Sequence, residues 1–214
     1  PTGVNTILTD ASGTDLADLT TVTLDTVPGA SATVTTRYAG ASALTITDAA
    51  SVTINGTSTA VNASVGSLVL DDDDTTSLTV NGADGAFTLA TGNITGTDSV
   101  TSLSVSTSTT TGTATLGTVV DADSLTSLTV TAVNANATIG ALGGTGTAEN
   151  LATVTANASG GATIALGDIT ADTTNSTTDL SMTVTLTADT SSAVTLDSFN
   201  NQYGSIALTA SGAG

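Results

Sequence analysis

The chain has 214 residues, enough for one sizeable domain or two smaller ones. Eighteen Asp and Glu149 stand against the single cation Arg37, a formal net charge of −18, and phosphate recognition needs the opposite, so nucleic acid and anionic membranes are excluded as partners. With no Cys, His or Lys there is no disulfide framework, thiolate metal site or Ser–His pair, and an enzyme is not expected.

The hydrophobic share of 39% is too high for an acidic disordered chain. It is made of small residues, with two Phe, two Tyr, one Met and no Trp. A Val/Leu/Ile/Ala core suits thin, closely stacked layers of backbone better than a bulky globule. Thr occurs 51 times, and β-branched residues favour pleated chain, so the fold class is all-β. No apolar run approaches the length of a membrane span, so direct membrane insertion is not expected. The opening "PTGVNTILTD" has no signal-peptide pattern and is read as a mature form, a segment, or a chain exported by a signal elsewhere.

Residues 1–18 are read as an N-terminal segment, a cap or an assembly strand, and 19–214 as one repeat domain. The repeat begins loosely with "LTTVTL" (19–24) and "ASALTI" (41–46). It becomes regular as "TTSLTV" (75–80), "VTSLSV" (100–105), "LTSLTV" (125–130), "LATVTA" (151–156) and "LSMTVTL" (180–186), at starts that are nearly evenly spaced until the last. A second short β-like run accompanies each copy: "SVTING" (51–56), "AFTLA" (86–90), "TATLG" (113–117), "ATIG" (137–140), "ATIAL" (162–166) and "AVTLD" (193–197). A third closes several units: "SLVL" (67–70), "NIT" (93–95), "TVV" (118–120) and "DIT" (168–170), with turn-forming Gly, Asn, Asp and Ser between.

Two or three short strands per unit of this length predict a β-solenoid (parallel β-helix) of about seven coils. At about 4.8 Å per coil such a rod is roughly 35 Å long. Leu78, Leu103, Leu128 and Val154 then form one inward column and Val80, Val105 and Val130 a second. Thr79, Ser104, Thr129 and Thr155 alternate outward. The alternative is two Ig-like β-sandwich domains, which need no such repeat and normally carry an aromatic core marker.

Stacking the coils places Asp73, Asp98 and Asp123 at one corner, with Glu149 in the matching place one coil later. Carboxylates about 4.8 Å apart repel by about 3–4 kcal/mol at an effective dielectric near 20, and Arg37 cannot relieve a column several coils long. Asp71, Asp72, Asp73, Asp74, Asp98, Asp121 and Asp123 are therefore the candidate ligands for Ca²⁺, which takes six to eight oxygens of this kind. The other reading is a solvated acidic ridge screened by ordinary salt.

With coils, composition and acidic turns together, and the "DSLTSLTV" unit at 123–130 as its best carrier, the chain resembles the β-solenoid portions of bacterial surface-layer and RTX-type exported surface proteins. That resemblance implies an extracellular, cell-surface address and stabilisation by calcium. The G-G-x-G-x-D calcium nonapeptide is missing, "NGADGA" (81–86) being a faint echo, so no ligand set is carried over. The expected function is that of a structural, self-assembling protein of a surface layer or filament, with copies of itself as partner and a cell-surface polysaccharide as a candidate second partner. An ice- or carbohydrate-binding adhesin module is the rival, on outward Thr-x-Thr pairs, and a carbohydrate-active β-helix enzyme ranks below both.

Overall fold

The computed structural model describes residues 4–8, 21–36, 43–57, 63–71, 75–83, 86–89, 93–108, 113–120, 122–143, 148–171, 181–201 and 204–212. Among them there is no helix, and every strand pairing is parallel. The architecture is a parallel β-solenoid of about six turns. Antiparallel sandwiches are thereby ruled out.

Each turn places strands on three faces. Face one carries β1 (Val4–Leu8), the second halves of β2 (Thr21–Thr36) and β3 (Ala43–Thr57), β6 (Ser77–Ala83), β9 (Ser102–Thr107), β12 (Ser127–Val133), β15 (Thr153–Ser159), β18 (Ser181–Ala188) and β21 (Ser205–Gly212). Face two carries β4 (Ala63–Val65), β7 (Ala86–Leu89), β10 (Thr113–Leu116), β13 (Ala137–Ile139), β16 (Thr163–Leu166) and β19 (Ala193–Leu196). Face three carries the first halves of β2 and β3, then β5 (Leu68–Asp71), β8 (Ile94–Thr95), β11 (Val119–Val120), β14 (Leu142–Gly143), β17 (Ile169–Thr170) and β20 (Phe199–Asn200). Because β2 and β3 run round a corner, faces one and three join into a single 15-stranded sheet, while face two is a separate sheet of six.

The regular turns follow the sequence repeat. Leu78, Leu103, Leu128 and Val154 lie in register and are buried, as are Val80, Val105 and Val130. Thr79, Ser104, Thr129 and Thr155 pair between them on the outer side. Alternation fixes the register, since a slip of one residue would turn each apolar column to solvent.

Three sequence expectations need correction. Aligning "LATVTA" with "LSMTVTL" from their first letters sets Val154 against polar Thr183, but the strands sit one position further along: Thr153 pairs with Thr183, and Val154 with buried Val184. "LTTVTL" and "ASALTI" are not copies of the face-one strand: Thr21–Asp25 and Ala43–Thr47 pair with each other on face three, and the latter continues onto β5. "SVTING" is the face-one strand of its turn, in register with β6. Period-two alternation is the same on every face, so it does not say which face a run occupies. Finally, about six turns replace about seven: Ser31 pairs with Ser51, and the stretch between them is too short to hold three strands and their corners.

Corners are closed by hydroxyls and glycines. Among the described residues Thr26, Thr75, Thr97 and Thr107 are the buried polar ones, and each Oγ1 donates to a carbonyl of a neighbouring turn: Thr47, Ala49 (2.6 Å), Val120 and Ala135 (2.8 Å). Gly96 lies at φ +71, and a Cβ there would sit 1.6 Å from the Leu70 carbonyl oxygen. Only glycine fits so close a backbone approach.

Candidate functional site

Three surfaces bear on function: the acidic corner, the outer side of face one, and the C-terminal end.

At the corner between faces three and one the same tight turn recurs on successive coils. Val100 N–H donates to the Thr97 carbonyl, Leu125 to Ala122 and Leu151 to Ala148, each at 3.0 Å. Asp98, Asp123 and Glu149 are the second residues of these turns, so the stacking expected from the sequence holds for these three. Asp98 and Asp123 are exposed and Glu149 half-buried. Carboxylates about 4.8 Å apart in water-like surroundings repel by about 1 kcal/mol, well under the figure for a protein-like dielectric. The Asn150 side chain donates to the Asp123 backbone carbonyl at 2.6 Å, tying one turn to the next. Among the described residues no group of three or more carboxylates is placed to hold a metal ion, so Asp98 and Asp123 alone do not fit a closed Ca²⁺ site. Asp72, Asp73, Asp74 and Asp121, and the side chain of Asp71, lie outside the described residues, as does Arg37.

The outer side of face one is a hydroxyl and amide surface. From β2 to β21 its three columns run from Ser31, Thr33 and Thr35 to Ala207, Thr209 and Ser211, and β1 sets Asn5 and Ile7 in register ahead of Thr33 and Thr35. Every described position between is Ser, Thr or Asn, and none is charged. Neighbouring rungs bond to one another: Ser51 Oγ donates to Ser31 Oγ at 2.8 Å, Asn81 Nδ2 to Asn55 Oδ1 at 2.9 Å, and Ser106 Oγ to Asn81 Oδ1 at 2.7 Å. Like charges on adjacent strands would destabilise the stack, which accounts for the absence of acids from these columns.

The C-terminal end is built differently. β21 stacks on β18 over eight paired positions and extends one rung past faces two and three. All of its residues are exposed, with Ile206 at 44% and Leu208 at 62%. Leu208 continues the column whose earlier members Leu128, Val154 and Val184 are at most 1% exposed. Beside the overhang lies a depression of about 260 Å³ lined by Leu186, Ala188, Val194, Ala210, Ser211 and Gly212. At the corner before β21 both polar side-chain atoms of Asn201 are buried without a hydrogen-bond partner, whereas one turn earlier the position is Ala171. An unmet buried amide costs about 1–3 kcal/mol.

No known family's sequence pattern matches the chain, and neither a curated protein nor a solved structure is detectably similar. What stands is the β-solenoid architecture.

Sequence reading finds the acidic corner and the outward hydroxyls. It misses the exposed Ile206 and Leu208 as individual residues, although "GSIALTASGAG" (204–214) carries the signal: an apolar alternation with no charged or polar cap in it.

Proposed function

We propose that this protein is a structural, self-assembling extracellular component of a bacterial surface layer or filament, in the manner of the surface-layer and RTX-type solenoids it resembles in sequence style. The observation that carries this reading is the apolar pair Ile206 and Leu208, exposed on β21. A solenoid end leaves backbone donors and acceptors unpaired and must be capped or joined to something. On β21, the last described strand, Ile206 and Leu208 present an apolar edge that a neighbouring copy could cover. Asp71, Asp72, Asp73, Asp74, Asp98, Asp121 and Asp123 are the residues proposed to bind the Ca²⁺ that stiffens the rod or bridges copies. No catalytic role is proposed, because without His, Lys or Cys the sequence leaves only carboxylates and two Tyr for proton transfer.

Light scattering over a concentration series, with millimolar Ca²⁺ and with EGTA, tests the reading. Growth beyond monomer mass is expected, greater with Ca²⁺, and negative-stain images then separate lattice from filament. A monomer under every condition would discard the assembly role, and identical melting curves in the two buffers would discard the calcium role.

The uncharged outer side of face one favours a second reading, an adhesin module for a neutral polysaccharide or for ice. Its test is pull-down on insoluble glycans and a thermal-hysteresis measurement. Binding by a chain that stays monomeric would put this reading first.

A further inference from the structure

We infer that two copies pack side by side through the outer side of face one, sheet against sheet, with their rods parallel. This deepens the self-assembly reading by naming a lateral surface, and rests on it.

Charge and size select the face. Two molecules of net charge −18 repel, so their contact needs a surface free of acids. Face three carries Asp25 in β2 and Asp71 in β5. The face-one strands β6, β9, β12, β15 and β18 hold no charged residue, and neither do the face-two strands. Face two is too narrow: its six strands have at most four residues each and offer a pair of copies about 750 Å², short of the roughly 1,000 Å² a specific interface needs. The rungs of face one from β2 to β18, each about six residues wide, offer about 1,300 Å², within the range of stable complexes. Polar groups are costly to bury unless bonded, and in the outer columns many already are: Asn81 bonds to both Asn55 and Ser106, and Ser51 to Ser31. Short, repeated side chains let two sheets interdigitate, and Asn ladders strengthen such contacts.

The two edges of the face differ, and that sets the direction. The column through Ser77, Ser102 and Ser127 borders the corner that bears Asp98, Asp123 and Glu149. The column through Asn81, Ser106 and Thr131 borders the opposite corner, where residues 108–112, 134–136 and 160–162 include no charged one. A two-fold axis along the strands would lay the Ser77 column over itself and bring the acidic corners together, at a cost in like-charge repulsion. An axis along the rod lays it over the Asn81 column instead. The acids of the two copies are then kept apart, and small Ser faces larger Asn and Thr, which evens the gap between the sheets. Rotation about that axis preserves height along the rod, so the contact is isologous rung by rung. Ser127 of one copy lies across from Thr131 of the other, and Thr129 from Thr129.

The native chain has no cysteine, so introduced thiols report on single positions. Packed sheets lie about 10 Å apart, a gap that a short bis-maleimide spans. Ser127→Cys and Thr131→Cys are prepared as separate proteins, checked by circular dichroism, and treated with the reagent alone and mixed. Cross-linking in the mixture and in neither protein alone is expected. Thr129→Asp on face one should raise the dissociation constant of the pair, measured by sedimentation, at least about tenfold, while Thr138→Asp, equally exposed on face two, leaves it in place. Ser127→Cys bridging to itself would overturn the parallel arrangement. Assembly that persists in Thr129→Asp and yields no mixed bridge would overturn the face-one contact while leaving self-assembly standing. A monomer throughout would overturn both, and capture of that monomer on insoluble neutral glycan, lost in Thr129→Asp, would give the face to a polysaccharide instead.

Discussion

The turns that begin at Ser77, Ser102 and Ser127 and the last turn, Ser181–Asn200 with β21, are written on one template but differ in how much they bury. In the middle, Leu128 is fully covered. In the last turn Met182 and Val184 are covered because β15 lies on one side and β21 on the other, while Leu186, Val194, Leu196 and Phe199 are partly open. β21 has a neighbour on one side only, and its apolar residues are exposed. A strand here does not bury its own side chains; the strands above and below do. Stability in such an array is a sum of nearest-neighbour contacts, so equal substitutions should have unequal effects along the rod.

The largest contrast is expected for Leu→Ala. Leu128→Ala removes a fully buried side chain and should destabilise by about 2–5 kcal/mol, whereas Leu208→Ala in monomeric protein should stay within about 0.5 kcal/mol; urea titrations of the two variants measure the difference. Equal effects would break the comparison. Next comes glycine. Gly96→Ala combines left-handed strain of about 1–2 kcal/mol with collision against Leu70, while a Cβ on Gly212 meets only the Ala188 carbonyl at 3.5 Å. The first should lower the melting temperature clearly and the second should leave it in place. A hydroxyl gives a smaller contrast. Thr75→Val strands the buried Ala49 carbonyl that Oγ1 holds at 2.6 Å, a loss of about 1–3 kcal/mol. Thr195→Val in the last turn gives up a 3.4 Å contact to Ile164 and should be near neutral in the same titration.

The smallest effect belongs to pH. Hydrogen bonds from Ser192, then from Gly160 N–H at 2.7 Å, hold the Asp189 carboxylate at a pKa of about 2, below the ordinary 3.8. Since the folded value is the lower one, the stabilisation is present above pH 3.8 and is lost as pH falls through about 2. Melting of the wild-type chain should therefore decline between about pH 4 and about pH 2 more than that of Asp189→Asn. Parallel curves would remove Asp189 from the account of the last turn.

How far the fold is legible in the sequence follows the same gradient. From Ser77 to Thr153 the interval is nearly constant, and inward and outward columns can be read directly, because similar strands at a constant interval have one way to stack. At the N-terminal end the turn shortens and the alternating Thr pattern repeats on face three as on face one, so "ASALTI" reads as a strand of the wrong face. Beyond Ser159 the interval lengthens and hides a slip of a single position that only the apolar column corrects. The acidic corner is legible as a stack, because Asp98, Asp123 and Glu149 keep a fixed offset from their strands. Its electrostatic weight is not, because that depends on exposure, and Asp98 and Asp123 prove to face solvent.

The constant interval has a consequence for how such a molecule can change size. Ser77, Ser102 and Ser127 occupy equivalent places, so excising 102–126 would splice chemically matched cross-sections and keep each column intact. Duplicating that stretch would do the same in the other direction. The molecule is in that sense a ruler graduated in single turns, lengthened or shortened by about 4.8 Å per graduation without any change to its girth.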